Sequence, residues 1–502
     1  MRESHFFHKD EIVAILNEIC DKTLGEVDKH GVFKKALDKP KITGIAGSVI
    51  EQSVFEYPAD QDQRPDLDID GILTELKTTG MRLKDQNGKK YFQAKEPASI
   101  TAVSISSIVK EEFWNSKFWH KVAHLLFVFY HYESPKAVPA RDYAKFHIKG
   151  YCFYSFTDDD VLILQKDWQL IHDFIEKIQK TYSEEEAKQE YPKLSTVINK
   201  KTVYLDTAPK YPHAPRFRLR KRVVSIIIQQ HFYGETFEKV PGHYLDRDDI
   251  ENKCAELTRI YQGYSMETIL EHFGLSGKVA LKQYAEQVIV RMFGGKAKKM
   301  SKIELFQKMG YIGKSVTVSC QENRTEDTKL FAVDFDELIE EWTDDDGMIR
   351  EKRFEDSDLY NYLHDNKFLC MIFRENEQGA NERVILKNNV FLGFKIIDLS
   401  DEDILSEAKR TWDEARDIVQ KGELKLIPCL DKNGNQRYTP KTKLPMEAPN
   451  LPKARNHLIF FRGTGSDAAD KVSIRGVKML RQDYWIKGAY LVEKLKDIPY
   501  IQ

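Results

Sequence analysis

Apolar residues recur at helical spacing near the start of the chain, where Ile12, Ile15, Leu16 and Ile19 predict an amphipathic helix over residues 9–20. The period then changes. Ile72-Leu73-Thr74-Glu75-Leu76-Lys77 predicts a short strand with Glu75 and Lys77 on one face and Leu76 on the other. Residues 100–108 alternate in the same way, and residues 125–130 form a continuous apolar run suited to a strand buried on both faces. A helix is expected from Asp167, with Trp168, Ile171, Phe174, Ile175 and Ile178 facing inward. A short strand over 203–205 follows, then the strip Arg216-Phe217-Arg218-Leu219-Arg220-Lys221-Arg222, and an apolar helix opens at Val223.

These landmarks recur in the second half in the same order. The apolar strand at 125–130 is echoed by Lys367-Phe368-Leu369-Cys370-Met371-Ile372-Phe373, and the helix with Trp168 by the one with Trp412. Phe217-Arg218-Leu219-Arg220 before a closing helix is echoed by Tyr484-Trp485-Ile486-Lys487, and the opening helix by residues 266–273. The pattern predicts two tandem α/β (α+β) domains, 1–240 and 241–502, each a central mixed sheet flanked by helices. Its length of 502 residues agrees, being too great for one ordinary core.

Composition narrows the class further. A hydrophobic content of 41% belongs to a folded chain, and a net charge of -2 means that any nucleic-acid contact must come from local basic clusters. Five of the seven residues in the 216–222 strip are basic, so Arg216, Arg218, Arg220 and Lys221 are candidate phosphate contacts, as are Lys39 and Lys41 upstream. Arg462, in the turn Arg462-Gly463-Thr464-Gly465-Ser466, is the corresponding candidate in the second half. The six cysteines are scattered without metal-binding spacing and read as reduced thiols of a cytoplasmic protein. The N-terminus has no apolar signal core, and no run of about eighteen apolar residues suggests a membrane span.

The candidate chemistry sits before and within the 72–77 strand. Asp68 precedes Glu75 by seven residues and Lys77 follows by two. Two carboxylates beside an ammonium suit magnesium-dependent phosphodiester cleavage, because hard oxygen ligands hold the metal while the lysine orients water or steadies developing charge. The second half offers only Gly313-Lys314-Ser315-Val316 at that point, so it is expected to be catalytically silent.

The motif Asp68-x6-Glu75-x-Lys77, with Pro65 before it, resembles that of the MutH family, which comprises the mismatch-repair nicking endonuclease and the Sau-type restriction endonucleases that cut at GATC. Gly47-Ser48-Val49-Ile50-Glu51 looks like the helix that supplies the family's upstream carboxylate, and His120-Lys121 like its additional lysine. The resemblance implies a nuclease fold, Mg2+ held by Asp68 and Glu75 with help from Glu51, and catalytic roles for Lys77 and Lys121. Asp66 is a rival for Asp68, because Pro65-Asp66 also looks like the Pro-Asp element of the wider nuclease superfamily. The duplicated layout is similar to the Sau type and implies a type II, type IIE-like restriction enzyme acting on double-stranded DNA. It would bind two DNA copies, pair on DNA from a monomer, and have a methyltransferase as genetic partner. A strand-nicking repair enzyme and a non-cleaving DNA-binding protein are the competing readings.

Overall fold

The computed structural model describes residues 5–34, 44–57, 64–86, 89–134, 138–277, 284–319, 326–339, 341–343, 349–375, 386–431, 433–439, 443, 445–465 and 470–502. The chain opens with β1 (Phe6–Phe7) and α1 (Lys9–Ile19), whose buried Ile12, Leu16 and Ile19 are the stripe expected from the sequence. Helix α2 (Ile45–Val49) continues into one π-helical turn, Ile50–Val54. Strands β2 (Leu67–Ile69), β3 (Ile72–Gln86), β4 (Lys89–Ala94) and β5 (Ala98–Ala102) follow. Then come α3 (Lys117–Val122), β6 (Leu125–His131), β7 (Ile148–Tyr154) and α4 (Asp158–Thr181).

The main sheet runs β1-β2-β3-β6-β7, with β4 also on β3; β3 and β6 are parallel and β6 and β7 antiparallel. Leu125, Leu126, Phe127, Val128 and Phe129 of β6 are at most 1% exposed, as a strand covered on both faces requires. The strand expected over 100–108 stops at Ala102, and α4 starts nine residues before Asp167. Thr157 and three consecutive aspartates explain the earlier start, since the threonine caps the helix and the carboxylates favour its positive end. Strands β8 (Leu205–Asp206) and β9 (Arg216–Leu219) complete a small sheet with β5, and α5 (Lys221–Tyr233) closes the half.

The second half repeats this order. Helix α6 (Arg247–Tyr261) packs on the sheet as α1 does, so it is the opening helix, rather than the segment 266–273 that the sequence suggested. Helix α7 (Tyr284–Met292) lies against β10 (Tyr311–Val318), and β11 (Thr328–Ala332) leads to α8 (Asp358–Asp365), β12 (Lys367–Arg374) and β13 (Val390–Asp398). Strands β10 and β12 are parallel and β12 and β13 antiparallel, the pairing of β3, β6 and β7. Helix α9 (Glu402–Gln420) carries the buried Trp412 as α4 carries Trp168. Strands β14 (Ile459–Thr464), β15 (Lys471–Ile474) and β16 (Val477–Ile486), then α10 (Gly488–Asp497), end the chain.

The two halves share a core. One apolar cluster runs from Met81 of β3 through Val224 and Ile228 of α5 and Ile289 of α7 to Ile396 of β13. A charged seam lies beside it: Lys84 donates to Asp358 at 2.6 Å, and Arg222 reaches the carbonyls of Lys308 and Asp365 at 2.8 and 2.6 Å. Among the described residues no helix is long and apolar enough to cross a membrane.

Candidate active site

A tight turn builds the site. Asp70 and Gly71 both have positive φ, 50° and 86°, as both central residues of a type I′ hairpin do, and Asp-Gly favours that turn. The turn sets the register: Ile69 pairs with Ile72, Asp68 with Leu73 and Leu67 with Thr74. One step further back along the chain, Asp66 falls opposite Glu75. Its Oδ2 accepts the Leu76 N–H at 2.9 Å. Burial, followed by the charge of Glu75, pushes the Asp66 carboxyl above its ordinary pKa, against the pull of Lys77 and Lys121.

Glu75 is 2% exposed and both of its oxygens are engaged. Lys77 Nζ donates to Oε1 at 2.6 Å, and Lys121 Nζ lies 2.9 Å from Oε2 and 3.2 Å from Oε1. Lys121 arrives there because Ser116 caps α3, accepting the Trp119 N–H at 3.0 Å, and because the Glu75 N–H bonds to the carbonyl of His124 just after that helix. Glu51 stands half-buried on the π-helical turn, in the element whose preceding helix packs against β3. Such turns are frequent at functional sites.

Asp68 does not join this cluster. Its Oδ1 accepts the Gly71 N–H at 2.8 Å inside the hairpin, opposite the exposed Leu73. The place beside Glu75 expected for Asp68 is taken by Asp66. The sequence signal that identifies it is the Asp70-Gly71 turn, because a two-residue turn fixes which residues face each other. Among the described residues no group of three or more His, Cys, Asp or Glu side chains gathers as a metal cage. A pair of carboxylates is nonetheless the donor set that suits magnesium, which is commonly bound by one or two carboxylates plus waters and substrate phosphate.

The basic strip is only partly where a DNA contact would need it. Arg216 is exposed, while Arg218 is held by Asp206 at 2.6 Å. Arg220 is 3% exposed and hydrogen-bonds to Thr202, with Asp365 of the second half 3.5 Å away; Lys221 lies 3.9 Å from Asp358. Arg220 and Lys221 therefore belong to the seam between the halves rather than to a DNA-facing surface. Arg462 is partly exposed, with its guanidinium 4.6 Å from the Trp485 ring, and pairs with Asp327. Lys39 and Lys41 lie outside the described residues.

The second half can be aligned by a bulge. In the first sheet the irregularity follows Phe129, opposite Gly150; in the second it follows Ile372, opposite Gly393. Thr79 pairs with Phe129 and Val316 with Ile372, so Glu75, Leu76 and Lys77 correspond to Ile312, Gly313 and Lys314. The carboxylate is replaced by an isoleucine and the lysine is kept. Lys314 donates to the Lys329 carbonyl at 3.2 Å and sits over the Phe368 ring.

Asp66 before β2, Glu75 and Lys77 on β3 and Lys121 on α3 meet beside a mixed sheet, an arrangement that fits a restriction-endonuclease-like fold. The family model for the DNA mismatch repair enzyme MutH matches residues 55–167, the stretch that contains all four of these side chains. The type II restriction enzyme Sau3AI of Staphylococcus aureus is 24% identical over 512 residues, covering 93% of this chain and 98% of that one. The chain is thus similar to the MutH family over residues 55–167 and to a type II restriction enzyme over most of its length.

Proposed function

We propose that the chain cuts both strands of double-stranded DNA at GATC in a magnesium-dependent reaction, leaving 5′-phosphate and 3′-hydroxyl ends. The observation that carries this reading is Asp66, bonded to the Leu76 N–H and near enough to Glu75 to feel its charge, with the ammoniums of Lys77 and Lys121 on Glu75. Asp66 and Glu75 would hold the magnesium ion; Glu51, on the π-helical turn, does not gather with them into a three-carboxylate group. When bound, the ion supplies charge to polarise the phosphate and acidify water. Lys77, the more exposed of the two lysines, positions the attacking water. Lys121 holds a phosphate oxygen. Arg216, exposed at the start of β9, serves the DNA backbone.

The second half, with Ile312 in place of the carboxylate, is the catalytically silent copy. It binds a second DNA, with Arg462 among its contacts, and makes the enzyme type IIE: a monomer that pairs on DNA. The protein works in the cytoplasm beside a methyltransferase that protects the host's own sites.

The test is a magnesium digest of unmethylated plasmid by wild type and Glu75→Ala, with fragment ends sequenced. Fragments ending at GATC in the wild type alone support the reading. Intact plasmid in both, with a clear gel shift, would replace it with a non-cleaving DNA-binding protein. Equal gel shifts on one-site and two-site DNA would remove the second binding lobe.

A further inference from the structure

Both oxygens of Glu75 are taken by lysines, and the two lysines are not equivalent. Lys77 is two residues away on the same strand and bonds to Oε1 alone. Lys121 comes from α3 and spans both oxygens, at 2.9 and 3.2 Å, with its side chain only 10% exposed. A divalent ion approaching between Asp66 and Glu75 meets that ammonium on the very carboxylate it needs. The two cations repel at short range in a poorly solvated site, where screening is weak. A phosphodiester at the same place offers Lys121 a different anionic partner.

We propose that Lys121 is a counter-ion switch: it holds Glu75 until a DNA phosphate takes its ammonium, so that metal ion and DNA enter the site cooperatively. This rests on the reading of Asp66 and Glu75 as the metal pair, and it adds an order of assembly to that reading. The physical basis is exchange of one ion pair for another of similar strength, which frees Glu75 Oε2 without leaving Lys121 unpaired. Linkage then requires reciprocity, so that whatever factor DNA adds to metal affinity, the metal adds to DNA affinity. Idle enzyme would carry little metal, and hydrolytic competence would form on substrate.

The experiment counts bound Mn2+ by electron paramagnetic resonance on the full chain, with and without a short GATC duplex. Its GATC linkages are phosphorothioate, which keeps the charge and slows cleavage. For the wild type the expected result is an affinity that rises about tenfold or more with duplex. In Lys121→Met the free protein should bind Mn2+ about as tightly as the wild-type complex does, and the response to duplex should fall below about threefold. Lys121→Gln, checked with Lys121→Met by thermal melting, guards against misfolding and carries the same expectation. Unchanged Mn2+ affinity in free Lys121→Met and Lys121→Gln, relative to free wild type, overturns the switch while leaving the metal site standing. Glu75→Gln binding Mn2+ as wild type does would overturn the metal site itself, and the switch with it.

Discussion

Replacing Asp66 and Asp68 separately with asparagine tests how the site is assembled. The two substitutions are chemically identical and two residues apart, Asp66 just before β2 and Asp68 within it. In Asp66→Asn the amide keeps an oxygen that can accept the Leu76 N–H now bonded to Asp66 Oδ2 at 2.9 Å, and in Asp68→Asn it keeps one for the Gly71 N–H at 2.8 Å. Both variants should therefore fold, each losing about 0.5 kcal/mol or less. Their catalytic effects should diverge. Removing a carboxylate from the Asp66–Glu75 pair weakens metal binding and the electrostatic support of the transition state, a loss of about 4 kcal/mol, or roughly a thousandfold in rate. Asp68 faces the exposed Leu73 and touches none of the other three groups, so Asp68→Asn should stay within about threefold of wild type. The assay is single-turnover cleavage of an unmethylated GATC duplex with magnesium, with melting curves to confirm folding. Asp68→Asn falling about a thousandfold while Asp66→Asn cuts normally would refute the register argument.

Asp358→Asn should cost about 2 kcal/mol in denaturant titration, because Lys84 and Lys221 lose their carboxylate in the seam; an unchanged midpoint would make the seam incidental. Burial alone would raise the carboxyls of Asp358 and Asp365. The charges of Lys84 and Lys221 on the first, and His364, Arg220 and Arg222 on the second, instead hold both well below the usual range. Depressed carboxylates stabilise the fold fully above their unfolded pKa of about 3.9 and lose that contribution as pH falls below it. Hydrogen exchange in peptides covering α5 and α8 should thus accelerate at acid pH earlier than in β6, and simultaneous loss in all three would count against it. Gly310→Ala should be severe, about 3 kcal/mol or more: φ is +72°, and a Cβ would lie 2.3 Å from the Asp365 carbonyl oxygen and 2.8 Å from Arg222. Normal yield and melting of that variant would mean that the seam can open locally.

Much of the architecture was legible from local pattern. The apolar runs at 125–130 and 368–373 announced the central strands, because a segment covered on both faces cannot alternate. Trp168 and Trp412 each lie buried on a long helix that follows such a strand. Glu75 and Lys77 could be placed on one face because their relation is a strand period, which needs no knowledge of the rest of the chain. The opening helix of the second half was misplaced because residues 266–273 are as apolar in pattern as the longer α6, and only packing against β13 distinguishes them.

The sequence by itself determined what repeats at short range: strands, helices, the Asp-Gly turn and the Glu75-x-Lys77 pair. Tertiary structure decided which distant groups meet. Lys121 is 46 residues from Glu75, and no periodicity relates them; the parallel pairing of β3 with β6 and the cap on α3 do. It also decided the partner of each charge. Arg218 and Arg220 sit in one basic strip, yet Arg218 bonds to Asp206 across the β8–β9 ladder while Arg220 is buried towards Asp365 in the other half. A guanidinium binds a phosphate or a carboxylate by the same forces, so its sequence states the charge, and only the fold states which anion lies within reach.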